Sequence, residues 1–300
     1  MSEAALGVAV AAPRPLGLRR AGAARAWAGR YPLAALGLGL ICLVIAVALL
    51  APLLPLHDPN ATAPARRLAP PGAAGYLLGS DQLGRDLLSR LVWGARVSLS
   101  VAALAAFGAL AVGGSIGLVA GYAGGLIDNL AMRLIDVLSA FPSVLRAIAL
   151  VAALGPGLTN AMLAIAIVNV SFYARGVRAA TLVIRETAFI ESARAAGASD
   201  LRILAREVLP NVLPPLLVFA SLNVGWMIIE SAGLSFIGLG AQPPTADWGT
   251  MLGDGRQFLM VAPHVAAIPG IAVLLLVLGF NLLGDGLRDM LDPALSRALR

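Results

Sequence analysis

Six stretches of about 20 apolar residues fix what this chain can fold into, because a bilayer core of about 30 Å is crossed by about 20 residues of helix. They run at 33–56, 97–120, 134–154, 158–174, 212–236 and 265–283. Of the 300 residues, 59% are hydrophobic and only 13% charged. So little polar surface cannot cover the cores of two soluble domains, which excludes that reading of the length. An all-α polytopic membrane protein with six transmembrane helices is expected. The first apolar stretch follows Arg14, Arg19, Arg20, Arg25 and Arg30 but exceeds a signal-peptide core, and no small-residue cleavage site follows it. A retained first helix is expected.

Arginine sets the orientation, since loops on the cytoplasmic side carry the excess of positive charge. The N-terminal tail has the five arginines above, and the segment between the fourth and fifth spans has Arg175, Arg178, Arg185, Arg194, Arg202 and Arg206. Six spans place both termini and this segment on one side, the cytoplasm, together with Arg288, Arg297 and Arg300. The expected organisation is a cytoplasmic tail at 1–32, a first helix at 33–56 and an extracytoplasmic loop at 57–96. A core of five helices follows at 97–286, with the basic segment 175–211 on the cytoplasmic side and a cytoplasmic tail at 287–300. The outer loop carries Arg66, Arg67, Arg85 and Arg90 against the trend, accompanied by Asp58, Asp81 and Asp86. Aromatic residues near span ends (Trp27, Tyr31, Trp93, Tyr122, Tyr173) fit the frame.

Several chemistries lack their residues. No lysine is present, and there is no G-x-x-x-x-G-K-[ST] phosphate loop, so no P-loop ATPase site is expected on this chain. Cys42 is the single cysteine, and His57 and His264 have no ligand-like spacing, so neither a disulfide, a metal site nor a cofactor is expected. The arginines lie between apolar spans rather than on one polar face, which argues against nucleic acid. No nucleophile and base pair stands within the spans, so no intramembrane catalytic residue is expected. An ion-driven secondary transporter wants midplane carboxylates, and only Glu230 is a fair candidate. Gly113-Gly114 and Gly124-Gly125 suit close helix packing and a turn rather than a phosphate cradle.

The segment Glu191-Ser-Ala-Arg-Ala-Ala-Gly197 is alanine-rich, with a helix-capping glycine, and Asp200 opens a second helical stretch that Pro210 is expected to end. Two short helices at an angle make a rigid knob, whereas an amphipathic loop lying on anionic lipid is the plainer alternative. With Val208-Leu-Pro-Asn211, the segment resembles the EAA loop of ABC importer permeases; Ser192 stands where that motif has its first alanine, and Glu207 where histidine is frequent. The resemblance extends to Leu78-Gly-Ser-Asp-Gln-Leu-Gly-Arg-Asp86, Phe141-Pro-Ser143, Leu154-Gly-Pro-Gly157, Ser235-Phe-Ile-Gly-Leu-Gly240 and Phe280-Asn-Leu-Leu-Gly-Asp285, in order over about residues 77–293. Together these blocks resemble the C-type permease subunits of dipeptide, oligopeptide and nickel importers. The resemblance implies the type I ABC importer permease fold and a bacterial inner-membrane location. It also implies partners: a second homologous permease, two ABC ATPase subunits and an extracytoplasmic solute-binding protein. Glu191, Ser192, Ala193, Gly197, Leu209 and Pro210 would meet the ATPase. Arg146 and Glu230 lie at similar depth in their spans, about 12 and 9 Å from the outer helix ends, so they can pair or line the pathway; the alternative is that each reaches the interface separately.

Overall fold

A computed structural model describes residues 27–73 and 75–291, so the arginines of the outermost N- and C-terminal tails lie outside the described residues. The helices in chain order are α1 (Pro32–Leu50), α2 (Leu87–Ala123), α3 (Gly125–Leu138), α4 (Ser143–Leu154), α5 (Leu158–Arg185), α6 (Ala188–Ala195), α7 (Asp200–Ile203), α8 (Leu209–Phe236), α9 (Trp248–Gly255) and α10 (His264–Leu291). Among the described residues there is no strand, only an isolated bridge between Ser80 and Asp86. Five helical rods are long and apolar enough to cross a bilayer; α3 and α4 make a sixth only as a pair bent by 81°.

That bend corrects the uninterrupted third span expected at 134–154. Pro142 fixes its own φ, lacks an N–H and pushes Phe141 away from helical geometry. Ser139 closes α3 by turning its hydroxyl onto the Ile135 carbonyl at 2.7 Å. Apolar composition continues through the break, so the run looks unbroken although α4, at 12 residues, is only about 18 Å long.

Pro210 also does something other than expected. Instead of ending a short second helix, it sits in the first turn of α8, where a missing N–H costs little. The preceding Leu204–Val208 is a π-helical turn, so residues Asp200–Phe236 form one continuous rod. The Asn211 side-chain amide donates to the Glu207 carbonyl at 2.6 Å and satisfies an acceptor in that widened turn.

Small residues hold the bundle together, as lipid leaves helices little hydrophobic reason to associate. Gly113, Gly117 and Gly121 recur at four-residue spacing on α2 and face α5. A Cβ on Gly113 or Gly117 would strike the carbonyls of Val170 or Ala174, and one on Gly121 would lie 2.8 Å from Thr181 Cβ. The Gly124-Gly125 turn between α2 and α3 has positive φ at both residues, 65° and 56°.

The N-terminal end of α2 is tied to the loops by charge. Asp86 caps it, accepting from the backbone N–H groups of Leu88 and Ser89 and from the Ser89 hydroxyl at 2.6 Å. Arg90 is 1% exposed, lies 3.5 Å from Asp81, and donates to the carbonyl of Pro59 at 3.0 Å. Asp81 also takes Arg85 at 2.5 Å. The off-trend arginines at 85 and 90 are therefore buried structural charges and do not count toward orientation.

Candidate functional site

At the end of the bundle opposite Asp86, α6 stands against the C-terminal end of α2. Ile190 anchors α6, and Ile203 and Val208 anchor the segment after it, all three fully enclosed, while Glu191, Ser192 and Gly197 are exposed. Glu191 lies in the first turn of α6, where the helix dipole favours a carboxylate. Ser192 turns its hydroxyl onto the Ala188 carbonyl at 2.9 Å, so a polar residue here leaves the helix unbroken. Ala193 packs on the core beneath. Gly197 has φ of 79°, with Ala198 N–H donating to Ala193 O at 3.1 Å and Gly197 N–H to Arg194 O at 2.9 Å. This is a Schellman cap, which an L side chain disfavours. Leu209 and Pro210 are exposed at the start of α8.

Two side chains that the sequence offered only as a span-end aromatic and an orienting arginine fix this element to the bundle. Tyr122, in the last turn of α2, donates its hydroxyl to Asp200 at 2.7 Å, and the Arg194 guanidinium lies over its ring at 5.4 Å. Helix α2 thus joins the charge cluster around Asp81 to α6 and α7 over about 55 Å. Nearby, Arg178 grips Asp128 with two short bonds, 2.5 and 2.6 Å, and locks α3 to α5.

The second feature is a cavity of about 750 Å³ between the bend at Pro142, α4, α5 and α8. Arg146 and Glu230 both line it. They make no ion pair among the described residues, so of the alternatives their similar depth allowed, the direct contact is not formed. Glu230 is 6% exposed and its oxygens are taken by Asn169 Nδ2 at 2.8 Å and Trp226 Nε1 at 3.1 Å. Asn223 in turn donates to Asn169 Oδ1 at 3.3 Å. Arg146 makes only long contacts, 3.4 Å to the Val168 carbonyl and 3.5 Å to the Ser171 hydroxyl, and its Nε is buried without a partner. Asn169, Asn223 and Trp226 escaped the sequence reading, although the spacing of Asn223, Trp226 and Glu230 puts them along one face of α8. No cluster of three metal-ligating side chains occurs among the described residues.

Comparison with known proteins agrees with this architecture. Residues 113–297 match the profile of the family described as binding-protein-dependent transport system inner membrane component. The chain is 49% identical over 261 residues to the dipeptide transport system permease protein DppC of Alkalihalophilus pseudofirmus, covering 87% of this chain and 86% of that one. It is 46% identical over 255 residues to the glutathione transport system permease protein GsiD of Pectobacterium atrosepticum, covering 85% of each. Among solved structures, a chain of the MetNI methionine ABC transporter in an inward-facing form superposes with a TM-score of 0.55 at 23% identity, covering 71% of this chain and 98% of that one. At that identity the likeness concerns the fold.

Proposed function

The chain belongs to the binding-protein-dependent transport system inner membrane components, and from that membership we propose that it forms half of the pore of an ATP-driven importer of di- or oligopeptides or related small solutes. The near-full-length identity to a dipeptide permease supports peptides as the cargo class, and glutathione, cargo of a second relative, is itself a peptide. The other half of the pore is a homologous permease. Two ABC ATPases supply the energy from the cytoplasm, and an extracytoplasmic binding protein delivers the cargo. Both termini and 175–211 face the cytoplasm, while 57–90 and 238–263 face outward, in the bacterial inner membrane.

The observation that carries the coupling mechanism is the helix α6 with its Gly197 cap, held on α2 through Tyr122. A rigid two-helix element standing out of the bundle can fit a cleft on an ATPase and pass on its movement as a body. Glu191, Ser192, Ala193 and Gly197 present the contact, with Leu209 and Pro210 at the root of α8.

Gly197→Val tests this. Space around the Cβ is open, so the substitution acts through backbone conformation alone, costing about 1–2 kcal/mol at positive φ. The variant is expected to insert and to assemble its bundle, yet to lose peptide uptake and binding-protein-stimulated ATP hydrolysis by about 10-fold or more, since a small misplacement of a coupling surface is amplified in rate. Normal uptake would make α6 a passive surface element.

A further inference from the structure

Taking the chain to be a peptide permease, we propose that the cavity beside the Pro142 bend is a two-point binding site for a zwitterion, in which Arg146 receives the free C-terminal carboxylate of a short peptide and Glu230 its terminal ammonium.

The argument begins with the partners each charge has and lacks. A guanidinium carries five N–H donors, and Arg146 uses one nitrogen, Nη1, in two long contacts to neutral acceptors, while Nε is buried with none. An ionised carboxylate has about four acceptor positions; Glu230 fills two, both from neutral donors. Neither charge is compensated by the other or by any described residue of opposite sign. Uncompensated charges at this depth are costly, and those that persist in membrane proteins mark pathways. Asn169 from α5 and Trp226 from α8 donate to Glu230, so the acidic pole is positioned by two helices.

The rest of the cavity fits the same cargo. Phe141, Phe172, Phe219 and Leu222 give it apolar walls that suit side chains of differing shape. Asn223 offers a polar contact for a peptide bond. Its volume of about 750 Å³ lies within the range of sites that enclose small ligands. The third charge on the wall, Arg175, is already bound to Asp136 at 3.2 Å, so a peptide with free termini brings one positive and one negative end to the two uncompensated charges, whereas an anion or a cation alone satisfies only one.

The test uses the assembled importer in nanodiscs without binding protein, with Cys42→Ser and a reporter cysteine at Ser143 on the cavity wall. Alkylation of the reporter by a small maleimide is followed against L-alanyl-L-alanine, its C-terminal amide and its N-acetyl derivative. Free dipeptide is expected to slow labelling saturably, and each blocked form to require about 10-fold more, the loss of one charge-assisted bond. Arg146→Gln should abolish the difference between free peptide and amide, Glu230→Gln that between free and acetylated peptide, while Arg146→Lys retains it. Equal protection by all three probes, or none, overturns the site. If the glutamine variants fail to assemble, the three-probe comparison on the intact residues decides alone. Uptake of alanyl-alanine by the same importer with binding protein separates the two levels: uptake without protection rejects only this site, and no peptide uptake rejects the peptide-permease reading with it.

Discussion

Asp81 shows how much one residue can hold in a chain so poor in carboxylates. It accepts from Arg85 Nε at 2.5 Å and from the backbone N–H groups of Leu83 and Arg85 at 2.8 and 2.9 Å, and it faces Arg90 at 3.5 Å. Removing one partner of a buried pair strands the other, at a cost of about 3–5 kcal/mol. Asp81→Ala is therefore expected to lower the melting temperature of the detergent-solubilised chain by about 10 °C; an unchanged temperature would show the cluster to be dispensable. Arg146 carries the opposite expectation. Its charge costs about 2.5–3.5 kcal/mol at the centre of a helix in the bilayer, and its contacts return little. Arg146→Leu should raise the melting temperature by a few degrees while impairing transport, a trade expected where a charge is kept for function rather than stability. At this scale the sequence disclosed which residues were anomalous but not what they touch. The depth of Arg146 and Glu230 follows from counting along their spans, whereas their partners depend on how α4, α5 and α8 are rotated against one another. Asn169, the residue that fixes Glu230, sits in another helix 61 positions away.

The helices were legible in proportion to how far hydropathy decides them. Apolar length alone located five of the six spans, and Gly197 was recognisable as a cap because its position after an alanine-rich run admits few other roles. What failed was backbone punctuation inside apolar sequence: Pro142 breaks a span while Pro210, Pro214 and Pro215 are carried within a continuous rod. The difference lies in the neighbours, since Ser139 terminates α3 with its own hydroxyl whereas the π turn and Asn211 absorb the first of the α8 prolines. Close packing of α2 on α5 offers a sharp test at this scale. Gly117→Val should prevent recovery of folded, monodisperse protein, because a Cβ there meets the Ala174 carbonyl and lies 2.9 Å from Arg178 N. Gly114→Ala should be tolerated, its Cβ meeting nothing nearer than Leu110 Cδ1 at 3.6 Å. Similar yields from both would mean that the helices are not held by this glycine stripe.

For the whole molecule, the proposed orientation rests on arginine once the buried pair at 85 and 90 is set aside, and labelling of single cysteines in a Cys42→Ser background can measure it. Ala195 is exposed on α6 and suits the cytoplasmic reporter. In the loop 238–263, Ala246 is only 6% exposed whereas Met260 is 95% exposed, so Met260 is the second reporter. Ala195→Cys and Met260→Cys should react with a membrane-impermeant maleimide from opposite faces, Ala195→Cys from the cytoplasmic one; reaction of both from one face would contradict the topology. In the proposed function this chain conducts peptide under the drive of ATP hydrolysed on its α6 side and delivery on the other. The most direct measurement is uptake of radiolabelled alanyl-alanine into proteoliposomes holding the complete importer, oriented so that ATP is present on the α6 face and binding protein on the Met260 face. Uptake that requires both, and continues when ion gradients are collapsed, is the predicted result. Uptake that proceeds without ATP on a proton or sodium gradient would contradict the account.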